Sequence, residues 1–225
     1  MTLNKIYEEN AVEILAVPDG VIIVSQEENF EDQAVVTFKY YSFRSKRLMS
    51  VTRDVYLRAK FGDSYQEISA QLPDYINYNV AQLPDGELLC VYPTGESYMF
   101  SVGGKLEWKG ELKYKGFGPS GVACVGRSIW LSFAEGDTIL RYNPRTMREE
   151  LRIGSHSDDA FSRPCGLFCS DMGLIVCNTE SRCVELVDTD NYTVERIYNF
   201  NESVYRYIRS GVENIVLLES GVYVV

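Results

Sequence analysis

A repeat in the second half of the chain constrains its fold more than any other feature of the sequence. Residues 121–153 read GVACVGRSIWLSFAEGDTILRYNPRTMREELRI, and residues 166–198 read GLFCSDMGLIVCNTESRCVELVDTDNYTVERIY. The two stretches align without a gap, ~45 residues apart, a period typical of propeller blades. Each copy is predicted to form four short strands joined by turns.

The same pattern extends along most of the chain. A Pro-Asp-Gly turn occurs at residues 18–20 and again at 84–86, and such turns join antiparallel strands because glycine tolerates positive φ. Five repeat starts at spacings of ~40–45 residues, with one longer unit, predict an all-β fold: a five-bladed β-propeller of four-stranded antiparallel blades. A β-sandwich is the alternative, since many short strands with frequent turns suit it too.

The two ends of the chain complement each other. The fifth repeat has strands over residues 204–208, 215–218 and 222–225 and stops one strand short. Residues 3–8 resemble the fourth strands of the other repeats. We therefore expect this N-terminal strand to close the last blade, which would remove two exposed sheet edges.

The first repeat is longer than the others. Its strands are predicted over residues 12–17, 21–24, 34–43 and 48–57. Residues 54–77 are not explained by the repeat and are interpreted as an insertion in a single domain spanning residues 1–225. Within it, residues 62–72 could form one or two helical turns capped by Asp63 or Ser64. Because functional loops decorate rigid scaffolds, this segment is a candidate functional elaboration.

Composition excludes some classes of partner. The formal net charge is -10 and the pI is about 4.7, whereas a nucleic-acid partner requires a basic surface. The N-terminus shows no signal-peptide pattern and no apolar run is long enough to span a membrane. The expectation is a cytoplasmic protein that binds neither nucleic acid nor membrane. The six cysteines sit mostly in apolar strand patterns and are interpreted as buried free thiols.

The repeats resemble the blades of the propeller superfamily that includes NHL, YVTN and gluconolactonase-like proteins. The resemblance rests on apolar strands such as IWLSF and LIVCN, followed by ILRYNP and VELVDT, which end in Asn or Asp. It covers most of the chain from residue 78 onward and, more weakly, residues 11–53. The superfamily contains hydrolases, lactonases, lyases and binding scaffolds, so the resemblance implies an architecture and does not select a function.

Propeller sites usually lie over the channel mouth, where the first strand of each blade begins. The polar residues predicted there are Glu13, Asn77, Asn79, Ser120, Arg163, Tyr205 and Arg206. Two guanidinium groups near one mouth would suit a carboxylate or phosphate. The alternative is that Arg163 and Arg206 pair with nearby acids such as Asp158, Asp159 or Glu202.

The resemblance to gluconolactonase-like enzymes implies a divalent cation held by one Glu, two Asn and one Asp. Glu13 and Asn79 match two of these ligands, whereas Gly121 and Gly166 occupy the comparable positions in the next two blades. Two ligands fall short of the oxygen set of a hard cation. No cofactor is therefore predicted, and a divalent cation remains the alternative.

Other catalytic groups are weakly indicated. The only histidine, His156, lies in a polar loop and no nucleophile-elbow motif accompanies it. The group Cys165, Cys169, Cys177 and Cys183 lacks the paired spacings of a zinc site. Glu13 is the only acid evident on the predicted inner strands, so the carboxylate pair of a glycosidase is not evident.

The sequence therefore predicts a non-enzymatic binding scaffold for a small anionic ligand, a glycan or another protein. A metal-assisted hydrolase or lactonase, or a glycan-acting enzyme, is the alternative.

Overall fold

Five four-stranded antiparallel sheets make up the fold. Four are built from consecutive strands, and the fifth combines the last three strands with the first. The structure is a computed structural model that describes residues 2–8, 10–28, 34–155 and 160–225. The sheets are the five blades of a β-propeller, as the repeat predicted.

The strands of each blade are as follows. The strand β1 (Asn4–Tyr7) precedes blade 1, which contains β2 (Ala11–Val17), β3 (Gly20–Glu28), β4 (Ala34–Ser42) and β5 (Arg47–Ser50). Blade 2 contains β6 (Asn79–Gln82), β7 (Leu88–Val91), β8 (Glu96–Phe100) and β9 (Leu106–Glu111). Blade 3 contains β10 (Gly121–Val125), β11 (Ser128–Phe133), β12 (Thr138–Asn143) and β13 (Arg148–Ile153). Blade 4 contains β14 (Pro164–Ser170), β15 (Gly173–Asn178), β16 (Cys183–Val187) and β17 (Val194–Asn199). Blade 5 contains β18 (Val204–Ser210), β19 (Glu213–Leu218) and β20 (Gly221–Val224).

The N-terminal strand closes the ring. In blade 5 the strand order is β1-β20-β19-β18, and Asn4 pairs with Val224. Tyr7 is buried, and its hydroxyl donates a hydrogen bond of 2.9 Å to Ser25 Oγ in blade 1. The predicted closure of the last blade is confirmed, and β1 links blade 5 to blade 1.

Tyr7→Ala is expected to destabilise the protein by about 3–5 kcal/mol, the usual cost of removing a large buried ring. The ring is 5% exposed and packs among the residues shared by blades 5 and 1. Urea unfolding would measure the effect. Leu3→Ala is the control, because Leu3 precedes the same strand and is 38% exposed. An equal loss from both variants would contradict the closing role of β1.

Each pair of neighbouring blades shares a hydrophobic core. Because side chains alternate across a strand, adjacent residues of one strand serve different interfaces. Ile129 packs in the core between blades 2 and 3, whereas Trp130 packs between blades 3 and 4. The aligned residues Leu174 and Ile175 repeat this arrangement one blade further on.

The Asn or Asp that ends the third strand of blades 3 and 4 stabilises the turn that follows the strand. Asn143 Oδ1 accepts hydrogen bonds from the amides of Arg145 (3.0 Å) and Thr146 (3.2 Å). Asp188 Oδ1 does the same for Asp190 (2.8 Å) and Asn191 (3.2 Å). These side chains mimic a backbone turn, which explains why the alignment retains them.

The region after β5 differs from the prediction. The predicted strand over 48–57 is wrong beyond Ser50, because Arg53–Phe61 forms the helix α1. Thr52 Oγ1 caps it by accepting a hydrogen bond of 3.4 Å from the amide of Val55, and Asp54 lies in the first turn, where the helix dipole favours an acid.

A 3₁₀ turn (Gly62–Ser64) and a short helix α2 (Tyr65–Ser69) follow α1. Helical turns were predicted over residues 62–72, but neither predicted cap forms. Ser64 precedes α2, and its hydroxyl donates instead to the carbonyl of Val102 at 2.8 Å. Within the described residues, no helix is both long and apolar enough to cross a membrane.

These helices pack between blades 1 and 2. Tyr56, Leu57, Phe61 and Ile68 pack against Ile22 and Val24 of blade 1 and against a set of blade 2 residues that contains Leu88, Cys90, Tyr98 and Phe100. Tyr78, one of the tyrosines between the helices and β6, is buried in the same core. Because both blades contact the helical segment, it acts as a wedge that sets their separation.

Candidate functional site

The central channel is wide on one side and narrow on the other. The first strands β6, β10, β14, β18 and β2 contact one another in that order around the axis. The remaining neighbours, β2 and β6, have no comparable contact among the described residues, because α1 lies between their blades. A cavity of about 570 Å³ occupies this opening. Its size is typical of small-molecule sites.

Two glycines account for the narrow side. A Cβ atom on Gly121 would lie 2.1 Å from the carbonyl oxygen of Cys165 in the next blade. A Cβ on Gly166 would lie 2.4 Å from the carbonyl oxygen of Tyr205. Only glycine permits this approach of the first strands, so blades 3, 4 and 5 meet backbone to backbone.

Three polar side chains from three blades meet at the channel mouth. Glu13, Asn79 and Arg206 lie near the starts of β2, β6 and β18, and all three line the cavity. Arg206 Nη2 donates a hydrogen bond to Asn79 Oδ1, and Asn79 Nδ2 donates to the carbonyl of Ser120 at 3.2 Å. A smaller cavity of about 170 Å³ at the same mouth is lined by these three residues, Asn77 and Ser120, among others.

The two arginines predicted at the mouth differ in their partners. Arg163 Nη2 lies 2.7 Å from Glu135 Oε1, an exposed ion pair away from the channel. Arg206 forms no ion pair with any residue that the structure describes, and its side chain donates to the neutral amide of Asn79. A guanidinium has five N–H donors. Arg206 is therefore the cation at the mouth that is available to a ligand.

The acids expected to neutralise the arginines do not do so within the described residues. Glu202 accepts hydrogen bonds of 2.7 Å from the amide and hydroxyl of Ser220. Asp158 and Asp159 lie outside the described residues, as does His156. Arg163 therefore pairs with a local acid, Glu135. Arg206 pairs with no acid among the described residues.

A buried cluster joins α1 to the channel wall. Lys60 Nζ lies 2.8 Å from Glu13 Oε1 and donates to the carbonyl of Ile76 at 2.8 Å. The Tyr56 hydroxyl donates to Glu13 Oε2 at 2.6 Å, and Phe38 stacks on the Tyr56 ring. Burial lowers the pKa of Lys60, an effect opposed by Glu13, and burial with the nearby carboxylate raises the pKa of Tyr56.

The sequence analysis did not identify Lys60 and Tyr56 as residues of the site. Their signal is a lysine on the buried face of a helix, since Tyr56, Leu57, Lys60 and Phe61 are all buried and spaced as one helical face. Recognising that signal requires knowing that residues 53–61 are helical.

The structure brings together five of the seven predicted site residues. Asn77 Nδ2 donates to Asp74 Oδ2 at 2.5 Å beside the mouth. The side chains of Arg163 and Tyr205 line neither cavity. Tyr205 is exposed, and its backbone carbonyl accepts a hydrogen bond of 3.2 Å from the thiol of Cys165.

The two candidate metal ligands are already engaged. Both oxygens of Glu13 contact the Lys60–Tyr56 pair, and the side-chain oxygen of Asn79 accepts from Arg206. A divalent cation would have to displace two positive groups. Among the described residues, no group of three or more His, Cys, Asp or Glu side chains is arranged to hold a metal.

The six cysteines are free. Cys90, Cys177 and Cys183 are buried, Cys124 and Cys165 partly so, and Cys169 is exposed. Burial raises the pKa of Cys90 to about 12 and also raises the pKa of Cys165. A thiolate is the reactive form of cysteine, so these two thiols are poor nucleophiles.

Comparisons with known proteins establish the fold. No protein-family model matches the chain, and no curated protein matches its sequence. A streptogramin B lyase structure is 12% identical with a TM-score of 0.64, over 99% of this chain and 96% of that one. A protein of unknown function from Bacteroides thetaiotaomicron is 11% identical with a TM-score of 0.69, over 99% and 72%. Virginiamycin B lyase from Staphylococcus aureus is 11% identical with a TM-score of 0.56, over 95% and 78%.

At these identities the similarity concerns architecture alone. The chain has the β-propeller fold, and the comparisons indicate no family for it.

Proposed function

We propose that the protein is a non-enzymatic binding propeller whose channel mouth takes a small anionic ligand, with Arg206 as its anchor. The observation that supports this most is that the Arg206 guanidinium lines a cavity of about 570 Å³ and donates to a neutral amide, that of Asn79, and not to an acid among the described residues. Asn79 orients the guanidinium from across the channel, which prepares its remaining donors for a carboxylate or phosphate.

The electrostatics of the mouth favour the same class of ligand. Lys60, Arg206 and the carboxylate of Glu13 all line the mouth end of the larger cavity, and Lys60 is the ion-pair partner of Glu13. An added anion would balance the second cation. The protein as a whole carries a net charge of -10, so attraction depends on this local arrangement.

A binding role also fits the groups that the cavity offers. The residues described around the larger cavity include no serine, cysteine or histidine, and Glu13 is held by Lys60 and Tyr56. The lyase neighbours share the architecture only. A cytoplasmic location belongs to the same proposal.

Arg206→Gln is expected to weaken anion binding about 30-fold, the effect of losing ~2 kcal/mol from a charged hydrogen-bonded pair. The measurement is isothermal titration calorimetry with acetate, benzoate and inorganic phosphate. Arg163→Gln is the matched control, since Arg163 is exposed and paired with Glu135 on the same face. Equal affinity of both variants for every anion, or turnover of any bound compound, would overturn the proposal.

A further inference from the structure

The lining of the larger cavity changes from charged and polar to aliphatic along its length. At the mouth it is lined by Glu13, Asn79 and Arg206. Two residues further along β2, on the same face of the strand as Glu13, lies Leu15, and Val80 of β6 also lines the cavity. Leu15 and Val80 are each only half-buried. The cavity thus continues from a charged mouth into an aliphatic cleft.

The cleft runs between blades 1 and 2 towards the opposite face of the propeller. Its outer side is formed by residues 59–63, at the end of α1 and the start of the 3₁₀ turn. Its far end is formed by Gly86 and Val102, which lie in turns after β6 and β8. The helical wedge holds β2 and β6 apart without filling the space between them. Aliphatic surface is therefore left facing water, which is unfavourable until a ligand covers it.

We propose that the natural ligand is a monocarboxylate with an unbranched hydrocarbon chain. Its carboxylate binds Arg206 at the mouth, and its chain lies in the cleft against Leu15 and Val80. This inference rests on the proposed function, and it adds the chemical class of the ligand. A cavity of about 570 Å³ is large enough for a medium-length chain, whereas a small inorganic anion would leave most of it empty.

The charge at the far end favours a single carboxylate. Asp63 lines the cavity there, close to the turn that contains Val102, because the neighbouring Ser64 donates to the Val102 carbonyl at 2.8 Å. Asp63 is exposed, and a second carboxylate at the other end of the chain would meet its like charge. Dicarboxylates are therefore expected to bind more weakly than monocarboxylates of equal length.

Calorimetric titration with acetate, butanoate, hexanoate and octanoate tests the inference. Affinity is expected to rise two- to fourfold for each buried methylene, in line with ~0.8 kcal/mol or less per group. Octanol, which has the chain without the charge, and octanedioate, which has a second charge, are both expected to bind at least tenfold more weakly than octanoate.

The variant Val80→Phe tests the contribution of the cleft to binding independently of the contribution of the mouth. The added ring is expected to weaken octanoate binding tenfold or more and to leave acetate binding unchanged. Because Val80 also packs against the core, Val102→Trp is a second variant, placed at an exposed turn at the far end of the cleft. Val212→Trp is its control, since Val212 is also exposed in a turn and does not line the cavity.

The outcomes distinguish this inference from the proposed function. Binding of anions that requires Arg206 but gains nothing along the series would overturn the hydrocarbon ligand and support the proposed anion site. Failure of every carboxylate and of phosphate to bind would overturn both. Equal affinity for octanol and octanoate would also overturn both, because the anchor would then have no effect.

Discussion

Lys60→Met is expected to lower the free energy of unfolding by about 3–5 kcal/mol, the usual cost of removing one partner from a buried ion pair. The Lys60 side chain is 1% exposed and that of Glu13 is 14% exposed. The variant leaves the Glu13 carboxylate buried with one hydrogen bond, from Tyr56. It also removes the ion pair that joins α1 to β2. Equilibrium unfolding in urea measures the loss.

Two further variants test the cause. Lys109→Met removes a lysine from an exposed pair with Glu96, also at 2.8 Å, and is expected to cost less than about 1 kcal/mol. The triple variant Glu13→Leu, Tyr56→Phe, Lys60→Met removes the whole polar cluster and should recover much of the stability, because no charge is then left unpaired. A loss below about 1 kcal/mol for Lys60→Met alone would show that the cluster is not structural.

Gly121→Ala is expected to destabilise the propeller by about 3 kcal/mol, at the upper end of the usual cost of overpacking. The new methyl group would lie 2.1 Å from the carbonyl oxygen of Cys165, a backbone atom in the first strand of the next blade. Backbone cannot move aside as a flexible side chain can. The two blades must separate, and the narrow side of the channel should widen.

The matched control is Gly103→Ala, because a Cβ there meets nothing within 4 Å and its φ lies outside the left-handed region. That variant is expected to be neutral within about 0.5 kcal/mol. Thermal and urea unfolding of both variants would measure the difference in their stability. If Gly121→Ala were as stable as Gly103→Ala, the close contact between β10 and β14 would not be required for folding.

The architecture was largely predictable because a propeller repeats one local pattern. Leu174 and Ile175 occupy the same environments as Ile129 and Trp130 one blade earlier, so alignment alone placed the strands of blades 3 and 4. The N-terminal strand could be assigned to blade 5 because the last repeat lacked a strand. The prediction of a strand over residues 48–57 was wrong beyond Ser50, because the apolar residues there fit a strand until the capping residue Thr52 is recognised.

The candidate site was predictable in part. Glu13, Asn79 and Arg206 could be placed at the mouth because their strand positions correspond between blades. The partners that determine their chemistry could not be predicted, since Lys60 reaches Glu13 across 47 residues and Arg206 reaches Asn79 across 127 residues. Arg163 and Arg206 look equivalent in the sequence, and only the structure shows that Arg163 is neutralised by Glu135.

The sequence by itself determined the blade count, the order of the strands and the closure of the ring, because these depend on short-range periodicity and turn chemistry. The tertiary structure decided where the channel is open and which cation is available there. A helix of ordinary sequence separates blades 1 and 2, while Gly121 and Gly166 let blades 3, 4 and 5 approach. The resulting cavity arises from contacts between distant segments, and no local pattern encodes their distances.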